Sequence, residues 1–181
     1  MRKITTRQLT FAAMFAALAA ILAINPFTFY LPDSSRITFR EIPIYLCSFS
    51  LGPVLGGLCS VIADLIGTFI SNSGNAWNPL FALNALLTGV LPGILFRYLF
   101  QNQKRALSVT ISIIPVNLIV SLFLTTLWLH VLRFDGGVPF WAHLLFRLPL
   151  VAVMTVVQII VVLILYPVVL RGIQGGKTHD V

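Results

Sequence analysis

The sequence predicts an all-α polytopic membrane protein with six transmembrane helices and both termini cytoplasmic. Three observations predict it. Of 181 residues, 58% are hydrophobic and only 9% charged, against roughly 25% charged in soluble domains, so the chain cannot cover a water-facing surface. The apolar runs are too long and too uniform for barrel strands, which leaves helices as the spanning structures. Lys and Arg number twelve against five Asp and Glu, and most fall at the chain ends and on one alternate connection, as the positive-inside rule asks. A cytosolic enzyme and a disordered tail are excluded. So is a long extramembrane domain, because at about 20 residues per span six spans take most of the length.

The first apolar run, Leu9 to Phe27, follows Arg2, Lys3 and Arg7. It has spanning length and continues without an A-x-A site before a polar boundary, so it reads as a retained helix and not a signal peptide. Ala12, Ala13, Ala16, Ala17 and Ala20 give it overlapping small-xxx-small spacings, which let another helix approach closely, either within the chain or from a partner. The region Ile42 to Ile70 would be about 44 Å long as one helix, well beyond the hydrocarbon core. Gly52-Pro53 and Gly56-Gly57 supply a turn, so it divides into a second span, 42–51, and a third, 54–70. The fourth runs over 80–100, the fifth over 107–130 and the sixth over 144–170. With six spans, Lys104, Arg105, Arg171 and Lys177 join the N-terminal charges on one side; with five, Lys104 and Arg105 would move across. Cys47 and Cys59 sit in apolar runs and read as reduced core residues.

The odd connections are long and rich in aromatics, arginines, asparagines and glycines: TFYLPDSSRITFRE, SNSGNAWNP and LRFDGGVPF. All three share the outer face. They read either as the cap of a binding site or as interfacial anchors. Inside the spans, polar residues recur at helical spacing: Ser60, Asp64, Thr68 and Ser71; Trp77, Phe81, Asn84 and Thr88; Asn117, Ser121, Thr125 and Trp128; Arg147, Thr155 and Gln158. Polar groups in hydrocarbon are costly, so four such stripes either stitch helices together or face a shared interior. Asp64 is the one acidic residue well inside a span. It can accept two N–H donors from an aminopyrimidine-like ring, or pair internally with an arginine. Arg147 can snorkel, pair with Asp64, or meet a ligand carboxylate with its planar fork.

Nothing in the chain suggests catalysis. The tail Gly172 to Thr178 lacks the first glycine and the preceding strand of a phosphate loop, and no HExxH, GxSxG or paired carboxylates occur. His130 and His143 have no companion ligands for a metal. A small membrane unit with a capped pocket, one smooth helix and no energy source points to a receptor driven by other subunits.

Several segments together resemble the substrate-binding S component of energy-coupling factor (ECF) vitamin transporters, most closely the folate-type group. They are Arg36-Ile37-Thr38-Phe39 leading into Ile42-Pro43-Ile44, Leu51-Gly52-Pro53-Val54-Leu55-Gly56-Gly57, Ala63-Asp64-Leu65-Ile66-Gly67, Trp77-Asn78-Pro79 with Phe81, Leu87-Thr88-Gly89, Thr125-Thr126-Leu127-Trp128-Leu129 and Phe146-Arg147-Leu148-Pro149. The resemblance implies a six-helix S-component fold in the bacterial cell membrane and high-affinity capture of a vitamin, folate above all, from outside. It implies docking to a transmembrane T subunit through the ridge of Ala12, Ala13, Ala16, Ala17 and Ala20. Two ATPases use ATP on its behalf; the chain itself needs no cofactor, binds no nucleic acid and meets lipid. On this resemblance Trp77, Phe81 and Trp128 stack on the pterin and aminobenzoyl rings. Asp64, Asn84, Asn117 and Gln158 supply polar contacts, and Arg36, Arg40 and Arg147 meet the glutamate carboxylates. Arg40-Glu41 departs from the smaller or apolar residues of many folate-type members, and pantothenate and hydroxymethylpyrimidine members share the general pattern. Nickel and cobalt members carry His after the initiator Met, where this chain has Arg2. Two other classes stay open on the residues alone: a scaffold whose stripes only join helices, and a stand-alone channel or carrier.

Overall fold

A computed structural model describes residues 5–24, 29–30, 36–70, 79–99, 105–132 and 139–174. Among these, the chain is helical apart from one antiparallel pair of two-residue strands, β1 (Phe29–Tyr30) and β2 (Arg36–Ile37), in which Phe29 faces Ile37 and Tyr30 faces Arg36. The helices are α1 (Thr6–Leu22), α2 (Glu41–Leu51), α3 (Pro53–Ile70), α4 (Pro79–Ile94), α5 (Arg105–Val116), α6 (Thr125–Val131) and α7 (Phe140–Gln174). A π-helical stretch, Leu95–Leu99, prolongs α4, and another, Asn117–Leu124, joins α5 to α6. Pro92 and Pro115 lie less than one turn before these stretches, where a missing N–H and a ring clash disturb the regular ladder.

Among the described residues, four helical bodies are long and apolar enough to cross a membrane: Pro53–Ile70, Pro79–Tyr98, Ala106–Val131 and Phe140–Ile173. Helices α1 and α2 are shorter. Helix α1 starts with a reciprocal cap in which the Gln8 N–H donates to Thr5 Oγ1 and the Thr5 N–H to Gln8 Oε1, the two-way arrangement of a capping box. It ends at Leu22, short of the expected Phe27. The turn between α2 and α3 stands where the sequence placed it. Gly52 takes φ +111° there, a conformation open to glycine, and Pro53 starts α3 at the position where its missing N–H is harmless.

The short α2 is the hub. Ile42 to Phe49 are all buried, as expected of a helix apolar all round. One side packs Ile44, Cys47 and Leu51 against Ala12, Ala16 and Ala19 of α1 and Leu55, Cys59 and Ala63 of α3. The other packs Ile42, Tyr45, Leu46 and Phe49 against Val109 and Ile113 of α5 and Val162 and Tyr166 of α7. Helices α3 and α4 meet through small residues: a Cβ added to Gly56 would lie 2.6 Å from the Gly89 carbonyl oxygen. Ser60 Oγ donates to the Ala85 carbonyl and Ser48 Oγ to that of Gly89. The beginning of α1 and the end of α7 are joined by Arg7, whose Nη2 donates to the Gly172 carbonyl at 3.2 Å.

The alanine ridge of α1 is divided by this packing. Ala12, Ala16 and Ala20 are buried against the chain's own α2 and α3 face, whereas Ala13 and Ala17 are exposed. A hundred degrees of rotation per residue puts the two sets on different sides of the helix, so only Ala13 and Ala17 are open to another protein.

Candidate ligand pocket

A cavity of about 100 Å³ opens among α2, α4, the π-helical stretch after α5, α6 and α7, enough for several water molecules. Its polar wall comes from Thr38, Arg40, Glu41, Asn84, Asn117, Ser121 and Arg147, and its apolar wall includes Phe81, Leu150 and Met154. Each helix supplies side chains at helical spacing: Arg147, Val151, Met154 and Gln158 of α7 follow steps of four, three and four, which is one face.

Three hydrogen-bond groups hold this wall. Asn117 is the centre of the first. Tyr45 Oη donates to its Oδ1 at 2.7 Å, and its Nδ2 donates to Thr155 Oγ1 at 3.0 Å and to Gln158 Oε1 at 2.7 Å. This fixes both amides: Gln158 accepts through oxygen and turns its Nε2 toward Glu41 Oε2, 3.4 Å away. In the second group, Trp128 Nε1 donates to Asn84 Oδ1 at 3.0 Å and Asn84 Nδ2 donates to Thr125 Oγ1 at 3.1 Å. Thr125 Oγ1 donates onward to the Val120 carbonyl, a reach of five residues that the π-helical turn brings into range. In the third, Arg40 Nη1 donates to Asp64 Oδ1 at 2.8 Å, with Glu41 Oε1 3.9 Å from Arg40 Nε. Arg147, 8% exposed, directs Nη1 to Thr126 Oγ1 and Nη2 to the Ser121 carbonyl, each at 3.4 Å. These are long hydrogen bonds to neutral acceptors.

The residues expected at a site divide into three sets. Arg40, Phe81, Asn84, Asn117, Arg147 and Gln158 line the cavity together. Asp64 and Trp128, also expected at a site, do not line this cavity: Asp64 holds Arg40, and Trp128 braces Asn84. The third-helix stripe is mostly internal bonding, with Ser60 on a neighbouring carbonyl and Thr68 on that of Asp64. Arg36 lies in β2, and Trp77 lies outside the described residues. Thr38, Glu41 and Met154 line the cavity without having been expected there. The polar run Thr38-Phe39-Arg40-Glu41 just ahead of the most buried helix was the available signal for the first two. For Met154, the signal was its place on one face between Arg147 and Gln158. Among the described residues no group of three or more His, Cys, Asp or Glu could hold a metal.

The fold and the sequence find counterparts among known proteins. The sequence profile of the ECF transporter substrate-specific component matches residues 7–169. The folate transporter FolT of Clostridium novyi (strain NT) is 34% identical over 97 residues, 54% of either chain, so this chain matches about half the length of that curated relative. The crystal structure of FolT bound with folic acid superposes with a TM-score of 0.74 at 24% identity, over 90% of this chain and 94% of that one. The structure of an S component of a bacterial ECF transporter gives 0.68 at 19% identity, over 92% and 97%. At these identities the two superpositions speak for the fold. With the profile spanning nearly the whole chain, the protein belongs to the substrate-specific components of ECF transporters, multi-pass proteins of the plasma membrane.

Proposed function

We propose that this chain is the high-affinity folate-binding subunit of an ECF-type importer. It takes folate from outside the cell, and a separate T subunit with two ATPases drives the import. The chain catalyses nothing itself; ATP is used by the partners. In this reading it has six spans with both termini in the cytoplasm, which the join between Arg7 at the start of α1 and Gly172 at the end of α7 supports. The cavity, reached from the start of α2 and the first turns of α7, then opens to the outside.

The observation that carries the reading is the make-up of the cavity. A guanidinium, an aromatic ring and a row of oriented amides share one pocket between helices. Arg147 offers a two-pronged donor to the ligand's glutamate carboxylates, and Phe81 a stacking surface for its rings. Asn84, Asn117 and Gln158 give directed hydrogen bonds. The folate-transporting relative and the fold relative solved with folic acid support this choice of ligand. Ala13 and Ala17 are the exposed alanines of α1 and, in this reading, belong to the T-subunit docking surface.

Titration of folic acid into the purified protein tests the reading. Submicromolar affinity is expected, with quenching of tryptophan fluorescence. Arg147→Ala should weaken binding by about 100-fold, the worth of a charge-assisted pair. Unchanged affinity in that variant removes Arg147 from the site, and no binding by the parent protein removes folate.

A further inference from the structure

Two asparagines of the cavity wall use their hydrogen bonds differently. Asn117 gives all of its bonds to the protein: Oδ1 accepts from Tyr45 and Ser121, and Nδ2 donates to Thr155 and Gln158. A primary amide has two donors and two lone pairs, so its capacity is filled. Asn84 uses half of its own. Its Oδ1 accepts from Trp128 Nε1 at 3.0 Å, and its Nδ2 donates to Thr125 Oγ1 at 3.1 Å. Among the described residues its side chain has these two partners, which leaves one N–H and one lone pair at the cavity it lines. We infer that Trp128 is a positioning residue that locks the Asn84 amide to read a lactam edge of the ligand's ring, a carbonyl beside a ring N–H. The inference rests on the folate reading above, since the ring of folate carries such an edge at its 4-oxo group.

The first support is that both neighbours demand one orientation of the amide. The indole N–H is a donor only, so it must meet the oxygen of Asn84. The Thr125 hydroxyl has one proton, and that proton goes to the Val120 carbonyl at 2.9 Å. Toward Asn84 the hydroxyl therefore accepts, and it must meet Nδ2. A reversed amide would set N–H against N–H at Trp128 and oxygen against oxygen at Thr125.

The second support is place. Phe81 and Asn84 are three residues apart on α4 and line the cavity together with Thr88, which is one face of the helix. A ring stacked on Phe81 brings its edge to the amide one turn along. Asn84 is buried, at 7% exposed, so an unmatched polar edge there is not relieved by water.

The third support is what a locked amide selects. A free amide turns over and pairs with a lactam or with its amino counterpart alike. A locked one offers its N–H to the carbonyl and its oxygen to the ring N–H. An amino group beside a bare ring nitrogen presents the reverse pattern, donor against donor and acceptor against acceptor. Trp128 does not line the cavity, so it sets this choice through Asn84.

The test titrates folic acid and its 4-amino-4-deoxy analogue into the purified full-length protein and two variants at neutral pH. Wild type should prefer folic acid by about 10-fold or more, as for one mismatched buried polar group. Trp128→Phe keeps an aromatic ring and removes the N–H, so the amide is free to turn, and the preference should fall to within about threefold. A wild type without preference for folic acid overturns the inference. So does a Trp128→Phe protein that keeps the wild-type ratio, the result of a merely structural role, in which both ligands weaken alike. Should Trp128→Phe not fold, Asn84→Asp decides: with acceptors alone it should favour the 4-amino analogue, and an unchanged ratio overturns the reading of the edge. Wild-type protein that binds neither ligand removes the folate reading itself, which separates that failure from this one.

Discussion

Arg40, at the threshold of α2, and Asp64, in the middle of α3, form a 2.8 Å ion pair in which both side chains are about nine-tenths buried. Removing one partner costs the other its short, buried counter-charge. Asp64→Asn or Arg40→Met alone should therefore cost about 3–5 kcal/mol, read as a lower melting temperature in detergent. The double change Arg40→Met with Asp64→Leu should recover most of that. Single variants as stable as the parent would show the pair to be idle.

Asn117 serves four side chains at once. Asn117→Leu keeps its size but strands the Tyr45 hydroxyl and the Gln158 carbonyl, at about 1–3 kcal/mol for each buried group. Chemical denaturation should show the loss. Adding Tyr45→Phe to Asn117→Leu should restore part of it, because the stranded hydroxyl is gone; a purely additive double variant would contradict the network.

The backbones of α3 and α4 touch at Gly56, where a new Cβ would meet the Gly89 carbonyl at 2.6 Å and Ser48 Cβ at 2.7 Å. Backbone cannot step aside cheaply, so Gly56→Ala should destabilise by about 2 kcal/mol or more. Gly172→Ala, with nothing within 4 Å, is the matched control and should melt with the parent.

On α1, Ala16 is 4% exposed while Ala17 is open. Ala17→Trp should leave folate affinity intact and abolish uptake by the assembled importer. Ala16→Trp should fail earlier, losing both binding and yield, because an indole has no room in the packed face. Parallel uptake and binding assays separate the two; uptake preserved in Ala17→Trp would put the docking surface elsewhere.

Much of the fold was legible because membrane spans announce themselves by length and composition, and Gly52-Pro53 marked the α2–α3 turn. The cavity was legible in outline: the stripes through Asn84, Asn117 and Gln158 converge as helical spacing implied. What periodicity does not carry is depth. Asp64 shares a face with Ser60 and Thr68, yet Arg40 reaches it first and takes its carboxylate out of the pocket wall. The same limit hid the division of the alanines, since small-xxx-small spacing serves an internal neighbour as readily as an external one. Glu41 stood out only as a departure from the folate-type pattern, and not as a cavity residue, because it precedes the apolar run instead of interrupting it.

The eleven-residue α2, about 16 Å long, bears on how the protein is made. Such a segment is too brief to settle in a bilayer by itself, and almost every one of its side chains needs a neighbour. It must enter the membrane paired with α3, as a hairpin pivoting on Gly52, and wait for α5 and α7 to close around it. Biogenesis thus finishes at the middle of the molecule, and the pocket comes into being only when the last helix arrives.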